Sequence, residues 1–119
     1  MADEITVTLR FGVTNGNYSP GDIAINNAKF DQAAAGADER IQNIGTSEET
    51  LGETLSTEGW LFMRNLDDTN YIQWGVATTD YAGRLEAGEF AIFRAEPGIT
   101  VYAKANTAAC DLWYRWLED

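Results

Sequence analysis

A period of two constrains this sequence more than any other feature. Ile5, Val7, Leu9, Phe11 and Val13 are apolar at every second position, with Thr6, Thr8 and Arg10 between them. A strand sends successive side chains to opposite faces, so this spacing makes one apolar and one polar face, and β-branched residues suit the pleat. The end of the chain repeats the pattern. Leu112, Tyr114 and Trp116 point one way from a final strand over 110–117, and Trp113, Arg115 and Leu117 the other.

Turn formers punctuate the chain between such segments. Asn15-Gly16-Asn17, Ser19-Pro20-Gly21-Asp22 and Pro97-Gly98 each predict a reversal. Ile23 and Ile25 restart the alternation in a short second strand. Residues 31–40 read as a loop or one poor helical turn, 40–45 as a short strand, and 46–50 as a capped helical turn or polar loop. Trp60-Leu61-Phe62-Met63 is apolar at four successive positions, which predicts a strand covered on both faces. Asn65–Asn70 then reads as a turn and residues 71–76 as the returning strand of a hairpin. Phe90–Arg94 forms a further strand, and Ile99, Val101 and Ala103 share one face of the next. About eight strands at roughly ten-residue spacing predict an all-β antiparallel sandwich, jelly-roll-like, as a single domain over 1–119.

Composition narrows the function classes. With 45% hydrophobic residues the chain should fold, and a length of 119 residues permits a true core. Its net charge of −11 repels phosphate backbones and anionic headgroups, so neither nucleic acid nor a membrane surface is an expected partner. The opening residues lack a basic, then apolar, leader, and Cys110 stands alone without a disulfide partner. Both features predict a protein made in the cytosol.

The chemistry of catalysis is thin. Without histidine the commonest base near neutral pH and the commonest metal ligand are missing, so no enzyme activity, metal or cofactor is expected. Cys110 has only Ala109 and Asp111 beside it, neither of which would lower its pKa. Asp67 and Asp68 lie in an oxygen-rich stretch, yet the spacing of a calcium loop is missing and turn formation explains the same residues.

Aromatic residues are the better candidates. Trp113 and Trp116 differ by an odd number of positions, so the last strand is bulky on both sides and one face needs cover from outside a two-layer core. The candidate interface is therefore Trp113 and Trp116, together with an exposed turn at Asp67 and Asp68. Self-assembly into a homo-oligomer, or attachment to another protein, would supply the cover. A shallow aromatic groove that stacks on sugars or a receptor is the alternative.

Three phrases of the second half, residues 64–75, 85–94 and 97–106, carry a family likeness. Arg64-Asn65-Leu66-Asp67-Asp68-Thr69-Asn70-Tyr71-Ile72-Gln73-Trp74-Gly75 is the first of them, and it resembles small virion proteins of tailed bacteriophages. The resemblance implies a small β-sandwich or jelly roll with a structural role in the virion. That role is decorating or cementing the capsid through contact with the major capsid protein, or serving as a head-fibre or tail accessory.

Overall fold

The computed structural model describes residues 3–119. Ten strands follow in chain order: β1 (Ile5–Phe11), β2 (Ile23–Phe30), β3 (Ala37–Ile44), β4 (Glu49–Thr50), β5 (Glu58–Asn65), β6 (Ile72–Gly75), β7 (Gly83–Leu85), β8 (Phe90–Arg94), β9 (Tyr102–Ala105) and β10 (Cys110–Glu118). Every strand pairing is antiparallel and the described residues contain no helix, as the alternation predicts. The chain divides into two compact units, the first ending at Ala33 and the second running Ala34–Asp119, where the sequence suggests one domain.

The second unit is an eight-stranded jelly roll. One sheet has the order β3-β10-β5-β8 and the other β4-β9-β6-β7, so the chain alternates between sheets except at the β6–β7 connection. The sheets share a core of Leu61, Met63, Leu112, Tyr114 and Trp116 from the first and Ile72, Leu85, Ala103 and Ala105 from the second. Each of these is at most 3% exposed. Hydrophobic burial at this density, about 1.5–3 kcal/mol for each large side chain, is what holds the two layers together.

Three local expectations are corrected. Residues 60–63 and 71–76 do not form a hairpin: β5 pairs with β10 and β8, while β6 pairs with β7 and β9 in the opposite sheet. The intervening turn is a corner between sheets, and Asn65 sets it. The Asn65 side chain is fully buried and its Nδ2 donates to the carbonyls of Asn70, Leu85 and Glu86 at 2.8, 3.0 and 3.3 Å, while Oδ1 accepts from the Asp67 amide at 3.0 Å. Residues 37–39, read as loop, begin β3 because β10 lies beside them and pairs Leu117 with Ala37. Glu49 and Thr50 pair with β9 as the short strand β4, where a helical turn or loop is suggested by sequence.

The first unit is a two-stranded ribbon whose register has one irregularity. Val7 faces Ala28 but Leu9 faces Ile25, so two residues of β2, Asn26 and Asn27, stand opposite Thr8. Asn27 takes φ 53°, a left-handed conformation that asparagine tolerates better than β-branched residues, and its amide donates to Thr8 Oγ1 at 3.2 Å. The bulge switches the parity of β2. Ile23 and Ile25 before it, and Ala28 and Phe30 after it, all oppose the odd-numbered apolar residues of β1.

A polar network closes the edge of the jelly roll. The buried Tyr114 hydroxyl lies 2.6 Å from the Gly52 carbonyl and 2.9 Å from Gln42 Oε1, and Gln42 in turn bonds Glu49, Thr50 and Gly52. Burial pushes the Tyr114 phenol up to about 12. Its unfolded value is near 10, so the neutral form is the one the fold favours. The resulting stabilisation is complete below about pH 10 and is lost as pH rises through the folded pKa. Urea midpoints measured from pH 8 to pH 12 should therefore fall across the alkaline limb, and Tyr114→Phe should flatten that limb. An equally steep fall in the variant would place the effect elsewhere.

Candidate docking face

In an antiparallel sandwich the outward side of each sheet is expected to be polar. The β4-β9-β6-β7 sheet obeys. Gln73, Arg84, Tyr102 and Lys104 alternate with its core residues, and the Arg84 guanidinium sits 3.9 Å from the centre of the Tyr71 ring. The β3-β10-β5-β8 sheet does not. Its outward positions include Ile41, Phe62, Phe90, Ile92 and Trp113, which alternate with buried or half-buried inward neighbours on β5, β8 and β10 and with Gln42 on β3.

Register places these side chains next to one another. Trp113 lies opposite both Ile41 on β3 and Arg64 on β5, Arg64 lies opposite Phe90, and Phe62 lies opposite Ile92 on β8. The Phe62 ring meets Trp113 edge-on at 5.1 Å and Phe90 at 6.3 Å. Ile41 is 60% exposed and Phe90 57%. The result is one contiguous apolar face, four strands wide, of the kind that isolated soluble domains rarely leave open.

Charged groups interleave with it, Arg64 standing between Trp113 and Phe90 and Arg115 opposite Phe62. Glu39 accepts from Trp113 Nε1 at 2.9 Å and from Arg115 Nε at 2.7 Å, and these contacts hold its carboxyl below the usual range, Arg115 contributing most. Arg94 pairs with Asp119 at 2.7 Å, and Arg64 donates to the Gly88 carbonyl at 3.1 Å. Aromatic side chains interleaved with partly paired charges suit a protein–protein contact.

The structure separates the four candidate residues. Trp113 belongs to this face and Trp116, 1% exposed, belongs to the core, so the odd spacing is resolved with the uncovered side at Trp113. Asp67 and Asp68 lie at the inter-sheet corner. Asp67 Oδ2 accepts the amides of Thr69 at 3.0 Å and Asn70 at 2.6 Å, which lowers its pKa, and Asp68 bonds the Thr69 hydroxyl. Their oxygens cap the turn that carries them. Ile41, Phe62, Phe90 and Ile92 are the members of the face that sequence reading missed. The run of apolar residues at 60–63 suggests cover on both sides of β5, but Leu61 and Met63 are fully buried while Trp60 and Phe62 are only half-buried.

Other site chemistry is sparse. Among the described residues no three His, Cys, Asp or Glu side chains gather as a metal site, and no helix is long and apolar enough to cross a membrane. Cys110 is buried, and burial raises its pKa, which makes a poor nucleophile. A cleft of about 270 Å³ lined by Thr50, Leu51, Glu53, Ile99 and Trp116 is slightly smaller than most small-molecule sites. Comparison with protein-family models, curated proteins and solved structures finds no significant match.

Proposed function

We propose that this protein is a non-enzymatic structural subunit of a bacteriophage virion, a capsid decoration protein that docks on the shell through the outward face of the β3-β10-β5-β8 sheet. The observation that carries this reading is the contrast between two outer faces of one sandwich, polar on one sheet and aromatic on the other. A decoration subunit needs such a division, with one side seated against the shell and one side in water. Docking would bury Ile41, Phe62, Phe90, Ile92 and Trp113 and so add contacts between shell proteins that resist internal pressure. The phrasing of residues 64–106, which resembles small virion proteins of tailed phages, supports the same role. A sugar platform fits less well, because the Phe62 and Trp113 rings meet at 76° and present no common plane for stacking.

Co-sedimentation with undecorated shells tests this directly. Wild type should pellet with the shells, and Phe90→Lys should bind about 30-fold more weakly, since an aromatic anchor buried on docking contributes about 2 kcal/mol. Phe90 is exposed, so thermal stability should hardly change. Particles lacking the protein should also release DNA at a lower temperature. Undiminished attachment of the Phe90→Lys protein would move docking to another surface.

A further inference from the structure

We infer that the ribbon of β1 and β2 is a self-association element, whose apolar face seats against the same face of a second copy of this chain. The inference extends the virion reading without using the aromatic sheet face. Cross-strand pairing sorts the ribbon by polarity, with Ala24 opposite Arg10 the one apolar side chain paired on the polar side. Ile5 faces Phe30, Val7 faces Ala28, Leu9 faces Ile25 and Phe11 faces Ile23, giving eight apolar side chains on one side. The other side is polar and satisfied: Lys29 Nζ donates to Thr6 at 2.9 Å, Thr8 bonds Asn27, and Arg10 pairs with Asp22 at 2.6 Å.

A ribbon of two strands has no second layer of its own, and an isolated hairpin is at best marginally stable in water. Phe11 is 63% exposed, Ile23 59%, Ile25 45% and Phe30 39%. With roughly 150–250 Å² for a large aromatic side chain and somewhat less for isoleucine, these four leave on the order of 400 Å² open on one face. Two such faces, with their partly open neighbours Ile5, Val7 and Leu9, bring the total area buried to about 1,000 Å², the lower bound for a specific interface.

Charge selects a second copy as the occupant. Residues 1–33 contain four acids and two bases, a formal −2, whereas residues 34–119 carry −9. Copies of so acidic a chain repel one another least at the ribbon, and the contacting face contains no ionisable group. A two-fold contact is self-complementary, so one amphipathic surface is sufficient for both partners.

Sedimentation equilibrium and cysteine trapping on the full-length chain test the inference. Wild type should run at twice the 13.1 kDa chain mass, and Ile25→Lys should run at one chain mass. Phe90→Lys, on the aromatic sheet face, should retain the doubled mass even where it loses shell attachment. Because Cys110 is buried, Ile25→Cys under oxidised glutathione should give a covalent dimer on a non-reducing gel and Thr6→Cys on the polar side should not. A wild-type protein at one chain mass at millimolar concentration, equal trapping from both cysteines, or a doubled mass lost in Phe90→Lys and kept in Ile25→Lys would overturn it. Shell co-sedimentation is read separately, so failure of the ribbon contact and failure of sheet-face docking remain distinct results.

Discussion

Replacing Trp116 by alanine is expected to cost about 3–5 kcal/mol of folding free energy, while the same replacement at Trp113 costs about 1 kcal/mol or less. The two tryptophans sit three residues apart on β10, and local sequence around them is equally aromatic. Only the layer differs. Trp116 is 1% exposed between the sheets, so its removal leaves a cavity that a close-packed interior fills poorly. Trp113 lies on the open face, where its loss removes an edge contact with Phe62 and one exposed hydrogen bond to Glu39. For a unit of this size the Trp116 variant should melt roughly 15–30 °C lower. Trp116→Phe should recover part of that loss, since the Trp116 indole N–H has no acceptor among the described residues and the ring's main contribution is its area. Equal unfolding midpoints for the two alanine variants in guanidinium would contradict the assignment of faces.

Asn65→Leu is expected to cost about 3–4 kcal/mol although it keeps the number and branching of side-chain heavy atoms. The change removes four hydrogen bonds around one buried amide, those to the carbonyls of Asn70, Leu85 and Glu86 and that from the Asp67 amide. Each abandoned backbone group that stays buried costs about 1–3 kcal/mol, and partial access to water at the corner moderates the total. Asn65→Asp should be no better at neutral pH, because it would aim a carboxylate at three carbonyl oxygens. Chemical denaturation with an unchanged slope and a lowered midpoint is the expected record. A loss under about 1 kcal/mol for Asn65→Leu would show that the corner is held by backbone pairing alone.

These two positions also show how far the sequence can be read. Trp116 and Trp113 were legible because a strand's period is two and their spacing is odd, so opposite faces follow from geometry alone. Asn65 was not. Its neighbours Leu66-Asp67-Asp68-Thr69-Asn70 look like any hairpin turn, and the partners that make it necessary, Leu85 and Glu86, lie 20 and 21 residues away. The same limit explains the mistaken hairpin: alternation locates strands and leaves open which sheet each one joins. At β3 the problem was composition, since Ala37, Asp38 and Glu39 have little strand propensity and are extended by pairing with β10. The docking face was half legible. Trp113 announced an uncovered side, but Phe90 and Ile92 join it only through β5, a neighbour more than 20 residues away in sequence.

The doubled asparagine of the ribbon imposes a rule about length rather than identity. Deleting either Asn26 or Asn27 would remove the bulge and leave Ile23, Ile25, Ala28 and Phe30 in strict alternation, with every pairing to β1 unchanged. The loss of a single codon should accordingly be tolerated at 26–27 and rejected at Ala24 or Lys29, where it would turn an isoleucine or Phe30 onto the polar side.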